Sequence, residues 1–185
     1  LFIKMLQDNI IFKIFRTSSM LTYSRLAYQT HDHQRCIVTA LDRAKLICEE
    51  SRARLTPIRE IVLRSIWASH QPLGAYDIVD TLALNIQTGK RIKAPTVYRA
   101  IEFLLNLRLI HRITSLNAYI GRSFPEETHN DFFLICRICR STAECSTEKM
   151  KNIILHTSER TGFQAETQIV EVIGLCPDCQ QEKIS

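Results

Sequence analysis

Apolar residues return every three or four positions along much of this chain, and each such stretch predicts a helix. Ile37, Leu41, Ala44 and Cys48 form one stripe, which predicts a helix over 37–51. Thr56-Pro57 reads as a helix start, with Thr at the cap and Pro in the first turn. Ile58, Ile61, Val62, Ser65 and Ile66 carry that helix's buried face on to residue 69. Gln71-Pro72-Leu73-Gly74 reads as a turn. A third helix over 75–85 buries Ile78, Val79 and Leu82.

A polar loop over 87–94 carries Gly89, Lys90, Arg91 and Lys93. The fourth helix starts at Pro95 and buries Val97, Ile101, Leu104 and Leu105. It turns Thr96, Tyr98 and Arg99 to its other faces, directly after the basic loop. A helix N-terminus attracts phosphate, and Arg suits a guanine edge or a phosphate. Two β-patterned segments follow, 109–114 and 118–122, joined by Ser115-Leu116-Asn117. Helices followed by a small hairpin describe a winged helix. The pattern alone also allows a helical bundle with a hairpin.

The last third has a different pattern. Apolar strands precede Cys136 and Cys176, residues 147–162 form a helix stopped by Gly162, and residues 163–173 alternate as a long strand. Strand, strand, helix, strand makes a small α+β unit whose open sheet edge invites pairing with a second copy. The predicted architecture is α+β, with a winged helix over 37–122 and a dimerisation and metal-binding unit over 123–185.

Charge follows the same division. The net charge of +5 breaks down as +3 over residues 1–39, +5 over 40–120 and −3 over 121–185. A basic module beside an acidic one fits a nucleic-acid binder joined to something else. No run of about 20 apolar residues exists to form a membrane-spanning helix. Residues 1–36 read as an extension. The first thirty residues suit a targeting segment, an interfacial helix or a misassigned start, and are expected to be poorly packed.

Seven cysteines in 185 residues is a high count, and four of them form two CxxC pairs, Cys136–Cys139 and Cys176–Cys179. Each pair can wrap half of a tetrahedral zinc site. Redox dithiols or disulfides are the alternatives. A redox CxxC typically opens a helix, and neither pair is expected to. Structural zinc implies a reducing, cytoplasmic setting. Cys48 reads as core. His111 on the first hairpin strand, His129 in the linker and Glu144 lie at the seam between the two units. Two imidazoles and a carboxylate make three zinc ligands, with Cys145 or water as a fourth.

These residues resemble a known family. Ala94-Pro95-Thr96-Val97-Tyr98-Arg99-Ala100, Arg54-Leu55-Thr56-Pro57-Ile58-Arg59 and the two CxxC pairs look like the ferric uptake regulator family. Ala75-Tyr76-Asp77, Phe103-Leu104-Leu105, Asn117-Ala118-Tyr119, a single His seven residues before the first CxxC, and Gly174-Leu175-Cys176 look closer to its zinc uptake regulator branch. The resemblance implies a homodimeric repressor that binds palindromic, AT-rich double-stranded DNA and controls metal-uptake genes. It also implies a structural zinc on Cys136, Cys139, Cys176 and Cys179 and a regulatory metal on His111, His129 and Glu144. DNA contacts fall to Tyr76 and Arg99, with Tyr98 toward the backbone, beside Thr96, Lys93 and Arg91.

Two departures stand out. The branch has a ligating Cys soon after the hairpin tyrosine, whereas this chain reads Tyr119-Ile120-Gly121-Arg122-Ser123. Ile58 replaces a Gln common in the family. A winged helix stapled by zinc without switching, or a sensor of another metal such as iron, therefore stays open. A zinc hydrolase would need an open metal position and a general base, and the sequence has no HExxH or similar cluster.

Overall fold

The computed structural model describes residues 21–23, 28, 32–84, 92–123, 131–166 and 168–181. Helix α1 (His33–Glu50) begins before the apolar stripe does. Its start is set by Asp32, whose carboxylate accepts from the N–H groups of Gln34 at 2.9 Å and Arg35 at 3.4 Å. Helix α2 (Pro57–Trp67) has Pro57 in its first turn as expected, but the buried Thr56 hydroxyl makes no capping bond. Helices α3 (Ala75–Leu84) and α4 (Ala94–Asn106) complete the helical set.

The predicted turn over 71–74 is partly strand. Leu73–Gly74 forms β2, which pairs antiparallel with β4 (Ala118–Gly121), and β4 pairs with β3 (Ile110–Ile113). The wing is thus a three-stranded sheet in the order β2-β4-β3. Ile37 and Leu41 of α1, Leu63 and Ile66 of α2, Ile78 of α3 and Leu104 of α4 meet in one core. Gly121 closes the wing against α2. A Cβ there would overlap the Trp67 indole, so the position admits no side chain.

The C-terminal unit contains β5 (Asp131–Cys136), β6 (Thr142–Thr147), α5 (Glu148–Thr161), β7 (Glu171–Gly174) and α6 (Pro177–Gln181). Thr147 caps α5, and Gly162, at φ 69°, supplies the left-handed stop. The long strand expected over 163–173 is corrected: only residues 171–174 are strand. Phe163 and Ile169, which carried that alternation, are exposed. β5 and β6 run antiparallel, and β7 joins β5 in parallel.

The N-terminal expectation is also corrected in part. Residues 21–23 form β1, antiparallel to β6, with Leu21 opposite Thr147 and Tyr23 opposite Cys145. The Tyr28 hydroxyl donates to the Leu134 carbonyl at 2.7 Å. Residues 1–20 lie outside the described residues. The full C-terminal sheet has the order β1-β6-β5-β7.

The two units share a second, smaller core, where Ile113 and Ile120 of the wing pack with Phe133 and Ile135 of β5. A backbone bond crosses between the same units: the Thr142 N–H donates to the His70 carbonyl at 3.0 Å. Arg43 Nη1 donates to the Ser123 carbonyl at 2.8 Å. No helix among the described residues is long and apolar enough to cross a membrane.

Candidate metal and nucleic-acid sites

Strand β5 ends at Cys136 and chain reversal brings Cys139 back beside it. The Arg140 N–H donates to the Cys136 carbonyl at 2.9 Å, with Arg140 held at φ 60°. The second pair has the same frame, with the Gln180 N–H on the Cys176 carbonyl at 3.0 Å. Contrary to expectation, this pair does lie at the start of a helix, the five-residue α6. A helix start alone would suit redox chemistry, but the convergence of both pairs outweighs it.

All four sulfurs lie within 4.8 Å of one another, and Cys139 Sγ is 3.6 Å from Cys176 Sγ. A tetrahedral zinc–thiolate centre, with Zn–S of about 2.3 Å, separates its sulfurs by about 3.8 Å. The cluster therefore matches a closed four-sulfur centre in donor type, number and spacing.

Its electrostatics point the same way. Burial works against ionisation of Cys136, but the N–H groups of Cys176, Cys139 and Ile138 outweigh it and lower the thiol to about 6. Burial and the neighbouring sulfurs push Cys179 up to about 12. One thiolate forms readily and then opposes the next, a conflict that a bound dication relieves. Tyr28 covers the cluster, packing against the cysteines and Leu175.

The seam gathers a second pair of donors. His111 Nε2 lies 3.0 Å from Glu144 Oε1, with Glu144 only 2% exposed. The Ser123 N–H donates to the other oxygen of Glu144 at 2.6 Å. The Phe133 ring meets His111 edge to face at 5.0 Å between centroids. His129 lies outside the described residues.

Cys145 is a correction. Neighbouring residues of a strand face opposite sides of the sheet, so Cys145 cannot join Glu144 at one site. It packs instead with Ala143, Phe132, Leu134 and Tyr28. Burial, with the nearby Glu144 charge, raises its thiol to about 11. Among the described residues, then, one imidazole and one carboxylate converge at the seam, fewer donors than a zinc site takes.

On the helical unit, Tyr76 lies in the first turn of α3 and Tyr98 near the start of α4, and both are exposed. Thr96 and Arg99 are exposed on α4, while Val97, Ala100, Ile101 and Leu104 face the core. Lys93 occupies the cap position of α4 without a side-chain cap bond, and its carbonyl accepts from the Thr96 N–H at 2.9 Å. Arg91 lies outside the described residues. Arg59 is half-buried, with its guanidinium stacked on Phe103 at 3.5 Å from the ring centroid. The sequence carried no sign of that contact.

The model of the ferric uptake regulator family matches residues 50–173. The chain belongs to the ferric uptake regulator family. This ferric uptake regulator family chain is 34% identical over 140 residues to the zinc uptake regulation protein of Escherichia coli strain K12, covering 75% of the chain and 80% of that protein. Among solved structures, it is similar to a zinc uptake regulator complexed with zinc and DNA. The TM-score is 0.73 at 30% identity, covering 84% of this chain and all of that one. A crystal structure of holo XcZur matches with a TM-score of 0.69 at 33% identity, over 77% of this chain and 98% of that one.

Proposed function

We propose that this chain is a zinc-responsive transcriptional repressor. It binds palindromic, AT-rich operator DNA as a homodimer in the cytoplasm and controls metal-uptake genes. The observation that carries the reading is the His111–Glu144 pair, because its members come from different units: β3 of the winged helix and β6 of the C-terminal sheet. The similarity to a zinc uptake regulator complexed with zinc and DNA, at 30% identity, supports the same assignment.

Two zinc roles are proposed. Cys136, Cys139, Cys176 and Cys179 hold a structural ion that contributes folding free energy to the C-terminal unit. His111 and Glu144, with His129 from the linker, hold the regulatory ion. Bound there, zinc supplies a cation that strengthens whichever arrangement brings its ligands together.

The chain's own residues carry out the rest. Glu144 is held by the Ser123 N–H, so its carboxylate is aimed before any ligand arrives. His111 moves with the wing, and the wing moves with α4. Fixing His111 against Glu144 therefore fixes Arg99 and Tyr98 relative to the sheet unit. In a symmetric pair this sets two recognition helices at one spacing, and both half-sites are met together. A shift from mostly inactive to mostly active needs about 5.5 kcal/mol of preference for one arrangement.

The test is zinc content per protomer before and after dialysis against a moderate chelator, with DNA binding followed in parallel. About two ions falling to about one, with DNA binding lost alongside, supports the reading. A single resistant ion with unchanged DNA binding favours a zinc-stapled, constitutive DNA binder. The missing cysteine over 119–123 motivates that second reading.

A further inference from the structure

Glu171 is the first residue of β7, and both of its carboxylate oxygens are engaged. Oε1 accepts from the Thr114 N–H at 2.6 Å and Oε2 from the Ser115 N–H at 2.9 Å. Thr114 and Ser115 belong to the turn between β3 and β4, the tip of the wing. A residue of the C-terminal sheet thus caps the wing's tip with a two-pronged grip on backbone amides.

The register places this grip within a larger pattern. Phe133 of β5 pairs with Glu144 on one side and Glu171 on the other. Directly paired residues share a face, so Glu144, Phe133 and Glu171 form one row across three strands. That row takes hold of successive parts of the wing. Glu144 reaches His111, Phe133 meets the His111 ring and packs with Ile113, and Glu171 holds Thr114 and Ser115. One end of the row is the candidate regulatory site. The other end uses only groups of this chain.

We propose that Glu171 is an interdomain latch. It docks the tip of the wing on the C-terminal sheet without metal and so presets the arrangement in which His111 meets Glu144. A carboxylate on two amides makes charge-assisted bonds that need no ion. The latch makes the wing a joint between the units. It also lowers the zinc concentration at which DNA binding is half-complete, because part of the ordering is already present before the ion binds. This last consequence rests on the proposed function, and the docking itself does not.

The experiment uses the full chain with its structural zinc. Amide hydrogen exchange is read by NMR in the native protein, in Glu171→Ala and in Glu171→Gln. Exchange at Thr114 and Ser115 should quicken about tenfold or more in Glu171→Ala, and less in Glu171→Gln, which keeps one acceptor oxygen. The Cys136 amide, bonded to the Ser141 carbonyl, reports whether the sheet unit is intact and should be unchanged.

Unchanged exchange at 114 and 115 would overturn the latch. The second readout is the zinc midpoint of DNA binding, expected to rise several-fold in Glu171→Ala. Faster exchange with an unmoved midpoint would overturn the coupling to the switch. If the native protein binds DNA without regard to zinc, the zinc-switch reading fails, and faster exchange still establishes the docking.

Discussion

His111 Nε2 stands 3.0 Å from Glu144 Oε1, and this pair joins a wing strand to the central strands of the other unit's sheet. The contact places an imidazole against a carboxylate that is almost wholly buried. Any change at either residue is therefore felt by both units.

The exposed face of α4 carries the first prediction. Arg99→Ala should cost about 1–3 kcal/mol of specific DNA binding, because the side chain is exposed one helical turn in from the N-terminus. Competition binding against scrambled DNA checks it. Retained affinity with the same site preference would remove Arg99 from the interface.

At the four-sulfur centre, Cys136→Ser should release the structural zinc and unfold the C-terminal unit, because the ion's binding energy is part of that unit's folding energy. Zinc analysis together with circular dichroism reads the result. A variant that stays folded with a full complement of zinc would refute the four-cysteine assignment.

Tyr28 covers that centre and is bonded to the Leu134 carbonyl. Tyr28→Ala should speed removal of structural zinc by a colorimetric chelator, while Tyr28→Phe, which keeps the ring, should change it less. Equal rates in all three proteins would mean that the ring shields nothing.

Gly121 leaves no space beneath the Trp67 indole. Gly121→Ala should therefore destabilise the winged helix by about 1–3 kcal/mol, the cost of forcing an extra carbon into a packed site. Chemical denaturation measures it. Gly121→Ala combined with Trp67→Leu should recover part of the loss.

Glu171 supplies a pH signature. Burial alone would raise its carboxyl, but the hydroxyl and N–H donors of Ser115 and Thr114 outweigh burial and lower it below the ordinary value of 4.5. A lowered carboxyl contributes its hold above the ordinary carboxylate range and loses it as the pH falls through its own lower value. Its partners are amides and hydroxyls, which do not titrate there. The amide shifts of Thr114 and Ser115 should move with a midpoint below 4.5. A midpoint at or above 4.5 would contradict the two-pronged bond.

What could be read from the chain followed the range of each signal. The helical stripes needed only local spacing, and α2, α3 and α4 lie where Ile66, Ile78 and Ile101 placed them. The cysteine pairs were legible because ligand spacing is a local pattern with few other uses. The start of α1 escaped because Asp32 through Cys36 carry no apolar stripe, although an Asp at that position is itself a cap signal. Adjacency in sequence groups Cys145 with Glu144, but the alternation of a strand separates them. The alternation over 163–173 is real, but among the described residues nothing covers Phe163 or Ile169, so pattern alone does not make a strand. The grip of Glu171 left no trace in the sequence. A carboxylate bonded to backbone amides 56 and 57 positions away has no residue-type partner to betray it.

The short strand Leu21–Tyr23 lies along the outside of β6 and occupies that border of the C-terminal sheet. The opposite border, β7, carries exposed Val172 and Ile173. Among the described residues both borders of this sheet are therefore short strands, three residues on one side and four on the other. Edges this short present few unpaired backbone groups, so a second copy that met the sheet edge-on at β7 would depend on the exposed Val172 and Ile173 as much as on backbone pairing.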